Sequence, residues 1–183
     1  MIGHATERFT VRCLTAHEAR ERAADLAAVL VDCVESGASV GFMTPLAREK
    51  ADGFWRRVAE GVAAGDRLLL VAEDRASGAI VGTVQLVLGL PENQPHRADV
   101  AKMLVSRSVR RQGLGASLMR AAEEAARAAG RTLLVLDTVT GSDAERLYQR
   151  LGWTRVGVVP DYALWPDGRL CDTTIFYKAV SGG

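Results

Sequence analysis

The sequence has few cysteines, no excess of charge of one sign and no long apolar run, and each shortage excludes a class of protein. Its three cysteines, Cys13, Cys33 and Cys171, are odd in number and widely spaced. That pattern fits neither a disulfide framework nor a zinc site. We expect all three to be buried as small apolar residues in a reducing compartment.

Charge and hydropathy narrow the possible partners further. The chain has 23 Lys and Arg residues against 22 Asp and Glu residues, a net charge of +1, so no bulk field attracts nucleic acid or an anionic membrane. No window approaches the roughly 18 apolar residues of a membrane span. Residues 1–12 lack the apolar core of an export signal. We therefore expect a cytoplasmic protein with no nucleic-acid or membrane partner.

What is present is an ordinary globular composition. The 183 residues are 48% hydrophobic, which is enough to bury a core, and no internal repeat, linker or low-complexity tract divides them. We expect one domain over residues 1–183. Capping boxes at Thr15 and Ser142, and a cap followed by proline at Thr44, predict three helix starts. The first helix is expected to continue to Gly37.

Apolar segments of strand length occupy the middle and the end of the chain. They cover residues 67–73, 79–88, 98–105, 132–137, 153–159 and 173–180. The first two flank a turn-rich stretch and are expected to pair antiparallel. An alanine-rich helix at 113–129, whose Glu123 is predicted to face outward, separates the third strand from the fourth. This order predicts a right-handed parallel βαβ unit.

The turn that opens this helix carries the clearest chemical signal, Arg110-Arg111-Gln112-Gly113-Leu114-Gly115. Its two glycines let the backbone approach a ligand, and the first amides of the helix lack internal partners and carry the positive dipole end. Both properties suit a phosphate. A Rossmann site would have a third glycine near Leu118, and a nucleoside triphosphatase loop would end in Gly-Lys-Ser or Gly-Lys-Thr, so neither class fits.

The remaining pattern, Arg/Gln-x-x-Gly-x-Gly/Ala after a strand, resembles the acetyl-CoA loop of the GNAT family of N-acetyltransferases. A second motif, Ala144-x-x-x-Tyr148-x-x-Leu151-Gly152-Trp153, resembles that family's later motif. The resemblance implies the GNAT fold, an α/β fold with a mostly antiparallel mixed sheet of about six to seven strands, a parallel βαβ cofactor unit and about four helices. It also implies acetyl-CoA as co-substrate, no metal, and a homodimer.

The resemblance also assigns the contacts with CoA. The pyrophosphate would be bound by the backbone amides of Gln112, Gly113, Leu114, Gly115 and Ala116. Positive charge would come from Arg110 and Arg111. Pantetheine would pair, as though it were another strand, with the backbone of Met103, Leu104 and Val105. Ser142 stands where the family often has an asparagine, and it is assigned the corresponding contact.

Three side chains are candidates for the chemistry. A primary amine must lose a proton before it attacks a thioester, because an alkylammonium of pKa about 10 is protonated at pH 7. Asp137 ends the strand after the cofactor helix and is interpreted as the base or as the anchor of the substrate ammonium. The resemblance pairs it with an acid at Asp99, and it makes Tyr148 the hydrogen-bond donor to the CoA sulfur. The alternatives are ordinary surface acids and a core tyrosine.

The acceptor is suggested by a narrower likeness. Four segments resemble the tabtoxin-resistance type of acetyltransferase, which acetylates a small β-lactam dipeptide toxin: Gly37–Met43, Ala98–Gly115, Leu136–Thr138 and Pro166–Leu170. We therefore expect acetyl transfer to the amine of a small molecule, a toxin or an antibiotic. A protein or peptide N-terminal acetyltransferase and a non-catalytic CoA-binding sensor stay open as alternatives. Aromatic candidates for the acceptor pocket are Phe42, Trp55, Tyr162 and Trp165.

Overall fold

The computed structural model describes residues 8–180, which form one seven-stranded sheet with helices packed on both faces. The helices are α1 (Ala16–Glu21), α2 (Ala23–Glu35), α3 (Arg48–Ala63), α4 (Leu114–Ala128) and α5 (Asp143–Arg150). The strands are β1 (Phe9–Cys13), β2 (Arg67–Asp74), β3 (Ile80–Val87), β4 (Arg97–Val105), β5 (Leu133–Val139), β6 (Thr154–Leu164) and β7 (Leu170–Ala179). The single domain predicted over residues 1–183 also includes residues 1–7 and 181–183, which lie outside the described part.

The strand order is β1-β2-β3-β4-β5-β7-β6, and every neighbouring pair is antiparallel except β4 with β5. Helix α4 connects these two parallel strands, so the predicted βαβ unit is confirmed. The mixed, mostly antiparallel α/β sheet is confirmed as well. Five α-helices are present rather than about four, because the predicted first helix is interrupted at Arg22 into α1 and α2.

Each face of the sheet has its own apolar core. Helix α4 covers a core to which Leu118, Leu134 and Phe176 contribute, and α1 to α3 cover the opposite core, which contains Leu30 and Trp55. The main contacts of α2 and α3 with the sheet are to β2, β3 and β4. The same face is therefore more open over β5 to β7, and this open area lies next to the βαβ unit.

Strands β4 and β5 separate along their length. Their parallel register runs only from Arg97 opposite Leu133 to Asp99 opposite Val135, whereas both strands continue well beyond that point. The second half of β4 consequently has a strand partner on the β3 side and none on the β5 side. This divergence opens a cleft in the middle of the sheet.

A β-bulge shapes β4 inside this cleft. Gln85 is opposite Ala101 and Thr83 is opposite Leu104, so β4 contains one more residue than β3 over this stretch. Within the bulge, Lys102 has a φ of 51°. Because one extra residue reverses the alternation of side chains, the strand changes faces here. Residues 98 and 100 pack in the core under α4, whereas residue 104 packs in the opposite core.

Several local predictions are wrong. The sequence analysis did not predict β1, and α3 begins at Arg48 rather than directly after Thr44. Cys13 is exposed, and only the other two cysteines are buried. Glu123 is buried instead of facing outward, because it accepts hydrogen bonds from Trp153 Nε1 at 3.1 Å and Lys178 Nζ at 2.8 Å. Trp153 directly precedes β6 and Lys178 is on β7, so both partners are far away in sequence.

Candidate functional site

The N-terminus of α4 is open to an anion. Gly113 is the N-cap residue and has a φ of 79°, in the left-handed region that favours glycine. No side chain caps the helix, and its first turn contains no acidic residue. The amide of Ser117 donates to Gly113 O at 3.2 Å, so the amides of residues 114–116 precede the first intrahelical bond. These N–H groups fit phosphate oxygens, as the sequence analysis expected.

The second glycine of the turn serves packing. A Cβ added to Gly115 would lie 3.0 Å from Leu147 Cδ2 and 3.8 Å from Met103 Sδ. Glycine thus allows α5 and the end of β4 to approach the start of α4. This close approach brings the helix that contains Tyr148 next to the open helix terminus.

The two arginines of the turn have different surroundings. Arg110 donates through Nε to Val105 O at 3.0 Å and through Nη2 to Ser36 Oγ at 2.9 Å, which ties the turn to the end of α2. Arg111 is exposed and has a φ of 61°. The pKa of Asp143, at the start of α5, is lowered mainly by Arg146 and also by Arg111. Arg111 is therefore the better placed of the two to add charge near the helix terminus.

The edge of β4 that faces β5 suits an extended ligand chain. Beyond Asp99, residues 100–105 have no partner on this side, and the predicted pantetheine-binding residues Met103, Leu104 and Val105 lie in this stretch. An unpaired strand edge presents N–H and C=O groups that an extended amide chain can complete. The cleft and the helix terminus are continuous through the turn, so one elongated phosphate-bearing ligand fits both.

The two predicted acids lie on one face of the sheet. Asp99 is in register with Val135, and Asp137 is two residues further along β5, so their side chains share a face. Asp99 accepts from Arg97 Nη1 at 2.5 Å in a partly exposed ion pair. Asp137 is exposed and has no salt bridge or side-chain hydrogen bond with any residue of the range 8–180. The carboxylate available to a ligand is therefore that of Asp137.

Tyr148 is both a core residue and an unengaged donor. It is 5% exposed and its ring packs against Trp153 and Phe176, at centroid distances of 6.0 and 6.1 Å. Its hydroxyl makes no hydrogen bond within the described part of the chain. Burial raises the pKa of the phenol well above its usual value, and the negative charge of Asp137 raises it further. The phenol is thus held protonated close to Asp137.

Ser142 is the N-cap of α5. Its Oγ accepts from Glu145 N at 3.1 Å and lies 3.4 Å from Thr138 Oγ1. The predicted capping box is half formed, because the Glu145 carboxylate binds the amide of Gly141 instead of that of Ser142. Capping therefore explains this serine locally, and its contact with CoA stays a prediction.

The sequence analysis missed three polar residues next to this site, Arg67, Gln85 and Lys102. Lys102 is half-buried, and its Nζ lies 5.8 Å from the ring centroid of Phe54. Burial lowers the pKa of Lys102, and Arg67 lowers it further, whereas Asp137 opposes the shift. Arg67 Nη1 donates to Gln85 Oε1 at 3.0 Å. The only sequence signal was a polar residue interrupting each of two apolar strands.

A clasp of two distant segments borders the open face; we define it as the loop 37–44 with the hairpin 164–170. Ser39 Oγ donates to Leu164 O at 2.7 Å. Thr44 donates to Pro166 O through its amide at 3.1 Å and its hydroxyl at 3.0 Å. Of the aromatic candidates, Phe42 belongs to this clasp and packs edge-on against Phe54, whereas Trp55 is fully buried core.

Among residues 8–180, no group of three or more His, Cys, Asp and Glu side chains is arranged to hold a metal ion. In the same range, no helix has the length and apolarity needed to cross a membrane.

Comparison with known proteins identifies the architecture. Residues 65–155 match the family model of the acetyltransferase (GNAT) domain. An uncharacterized N-acetyltransferase from the hisH-hisA intergenic region of Azospirillum brasilense is 36% identical over 115 residues, which cover 62% of this chain and 66% of that relative. The chain thus spans slightly less than two thirds of this relative.

Solved structures share the fold. The structure of yncA from Salmonella typhimurium with its cofactor acetyl-CoA has a TM-score of 0.77 at 18% identity and covers 96% of this chain and 95% of its own. Ribosomal-protein-alanine N-acetyltransferase from Brucella melitensis has a TM-score of 0.75 at 22% identity, with coverages of 93% and 99%. The described chain therefore has the GNAT fold, and residues 65–155 are similar to the acetyltransferase domain of the GNAT family.

Proposed function

We propose that this protein is an N-acetyltransferase that moves the acetyl group of acetyl-CoA to an amine of a small molecule. One observation carries the proposal: the uncapped α4 terminus, the unpaired β4 edge and two complementary proton-handling groups, Asp137 and Tyr148, meet at a single cleft. The helix terminus and the strand edge would hold the pyrophosphate and pantetheine of acetyl-CoA. The bound thioester supplies the electrophilic carbonyl.

The protein's own groups complete the reaction by direct attack. The Asp137 carboxylate accepts the proton of the substrate ammonium, directly or through a water molecule, and the freed amine forms a C–N bond at the carbonyl. As the C–S bond breaks, the Tyr148 hydroxyl donates a hydrogen bond or proton to the departing sulfur. A thiolate of pKa about 8.5 needs only modest help from a phenol. Asp99, already paired with Arg97, would hold water or orient the ammonium.

The clasp supports a small acceptor. Its two segments are hydrogen-bonded through Leu164 O and Pro166 O, which narrows the open face at one side. A small amine fits such an enclosed area better than an extended peptide, whose following residues need an exit path. A toxin or antibiotic of the tabtoxin type is the substrate that the narrower resemblance suggests. A peptide N-terminus is the competing acceptor.

The remaining partners belong to the same proposal. We expect the protein to be cytoplasmic. We also expect a homodimer, because the edge strand β6 and its neighbour β7 expose large apolar side chains: Val156, Val159, Tyr162, Leu164 and Leu170. No nucleic-acid or membrane partner is proposed.

The decisive experiment measures release of CoA thiol from acetyl-CoA with a panel of small amines, antibiotics and short peptides. Calorimetry with acetyl-CoA alone provides a parallel measurement. Turnover of small amines supports the proposal, and preferential turnover of peptides favours the N-terminal acetyltransferase. Binding of acetyl-CoA without turnover of any amine would leave the CoA sensor as the correct function.

A further inference from the structure

Three hydrogen-bond donors without a carboxylate partner among residues 8–180 lie together beside the cleft between β4 and β5. Arg67, Gln85 and Lys102 come from the adjacent strands β2, β3 and β4. Gln85 is in register with Ala101, the residue before Lys102. Helix α3 holds the arginine in place, because a Cβ added to Gly61 would lie 2.9 Å from Arg67 Cδ. The three groups therefore form a fixed cluster under α3.

Among the described residues, the donors have one hydrogen bond between them and no anionic partner. Gln85 is fully buried, and its Oε1 accepts from Arg67, which fixes the orientation of the amide. Its Nε2 has no partner in the described structure. Neither Arg67 nor Lys102 forms an ion pair with a carboxylate of residues 8–180. An orphaned amide and two nearby cations are costly together, and an anion would satisfy all three.

The cluster lies on the acceptor side of the cleft. Asp137 is near enough to both Lys102 and Tyr148 for its negative charge to raise the pKa of each. Lys102 is three residues beyond Asp99, which shares a face of the sheet with Asp137, so the cluster and this carboxylate border the same cleft. The clasp approaches from above, since a Cβ added to Gly41 would lie 3.8 Å from Lys102 Nζ.

We infer that the acceptor is a small zwitterion, with its amine at Asp137 and a carboxylate bound by Lys102, Arg67 and Gln85 Nε2. This inference rests on the proposed acetyl transfer and narrows its substrate class. Charge complementarity orients the molecule: its ammonium meets the carboxylate of Asp137, and its carboxylate meets the cations Lys102 and Arg67. A free amino acid and a short dipeptide both have this chemistry.

The test uses matched acceptors that differ only in the carboxylate. Free L-amino acids and glycyl dipeptides are each compared with their carboxamides by CoA release. The wild-type protein should prefer the carboxylates by about tenfold to a hundredfold in kcat/KM, the usual worth of a charged hydrogen bond. A comparison of kcat/KM between the free amino acids and the dipeptides identifies which of these two acceptor types the site fits.

Substitutions of Lys102 test whether the cluster of Arg67, Gln85 and Lys102 causes the preference for carboxylate acceptors. Lys102→Met should remove most of the preference for carboxylate acceptors, mainly by raising their KM. Lys102→Glu should reverse the preference, so that the carboxamides become the better acceptors. Arg56→Met, at an exposed position of α3, should keep it. Acetyl-CoA affinity, measured by calorimetry, should be unchanged in all three. Calorimetry should also show that the preference for N-acetyl-amino-acid products over their amides weakens in both Lys102 variants and is kept in Arg56→Met.

The inference has clear contrary outcomes. Equal kcat/KM for acids and amides in the wild-type protein would overturn the carboxylate subsite while leaving acetyl transfer intact. An equal loss for both acceptor types in Lys102→Met would overturn it too, because that result makes Lys102 a general catalytic group. Failure of every acceptor to release CoA would instead refute the proposed function.

Discussion

At the scale of single residues, the site depends on contrasts between chemically similar groups. Asp99 and Asp137 are carboxylates on one face of the sheet. Arg97 forms an ion pair with Asp99, whereas no described side chain pairs with Asp137. Tyr148 is a core side chain whose hydroxyl has no partner in the described chain. These contrasts separate groups that maintain structure from groups available for chemistry.

Asp137→Asn removes the proposed base. We expect kcat to fall by about a hundredfold or more, given the usual contribution of general base catalysis, while acetyl-CoA affinity stays unchanged. Steady-state kinetics and calorimetry measure the two effects. Glu124→Gln, at an exposed position of α4, is the control and should behave as wild type. A wild-type rate in Asp137→Asn would remove this carboxylate from the mechanism.

Tyr148→Phe retains the ring packing and removes the hydroxyl. Turnover should fall by about tenfold to a hundredfold, and Tyr177→Phe, at a position of β7 that is 40% exposed, should change nothing. An unchanged rate would return Tyr148 to a purely structural role.

The same substitution has a pH signature. Because the pKa of Tyr148 is raised in the folded state, its neutral form contributes stability that is fully present below the ordinary tyrosine pKa of about 10. That contribution is lost as pH rises through the folded-state pKa. Melting temperatures measured from pH 8 to 11 should thus fall more steeply above pH 10 for wild type than for Tyr148→Phe. Parallel curves would contradict the buried, protonated phenol.

At the scale of elements, the site is produced by the way secondary structures end and diverge. Helix α4 starts without a cap, β4 and β5 separate after three register pairs, and Lys102 lies in the bulge of β4 with its side chain near Phe54 of α3. Periodicity and the glycine turn predicted the helix and its strands. The bulge depends on the register between β3 and β4, which local sequence does not determine, so Lys102 was missed.

Gly113→Val tests the helix terminus. A β-branched residue in the left-handed region is strained, and its side chain would stand between the amides and the phosphate. We expect acetyl-CoA binding to become undetectable by calorimetry. Gly130→Val, at the other end of α4 with a φ of 72° and open space around it, imposes similar strain away from the ligand. If both variants bind acetyl-CoA equally well, the phosphate site lies elsewhere.

Glu123→Gln tests how α4 is attached to the final strands. The carboxylate accepts from Lys178 at 2.8 and 2.9 Å and from Trp153 at 3.1 Å. Losing its charge leaves Lys178 without its counterion. We expect a loss of about 2 kcal/mol in unfolding free energy, below the value for a fully buried pair because Lys178 is partly exposed. Denaturant unfolding measures it, and exposed Glu124→Gln should lose less than about 0.5 kcal/mol.

At the scale of the whole molecule, the sequence predicted the α/β class, the order of the later elements and the parallel unit. These follow from local periodicity and turn residues, such as the glycines around α4. Burial of Glu123 and the pairing of Asp99 with Arg97 depend on which segments meet in space. Sequence reasoning therefore described the βαβ unit better than the opposite face of the sheet, where β2, β3 and the clasp contribute.

The outer surface of β6 leads to a prediction about assembly. Val156 is 63% exposed and Tyr162 57% exposed on this edge strand, which a second copy of the chain would cover. Sedimentation should give twice the monomer mass, and the double substitution Val156→Glu with Tyr162→Glu should give the monomer. Exposed Arg20→Glu on α1 is the control. A monomeric wild-type protein would contradict the homodimer.

The clasp is held by the backbone of its hairpin, which leaves the hairpin side chains free to vary. Its hydrogen bonds end on the backbone oxygens of Leu164 and Pro166, so the hairpin side chains do not themselves hold the two segments together. Mutations that exchange those side chains would reshape the wall facing the acceptor without breaking the clasp. Substitutions in the hairpin would therefore change the surface beside the cleft and leave the α4 terminus and the β4 edge as they are.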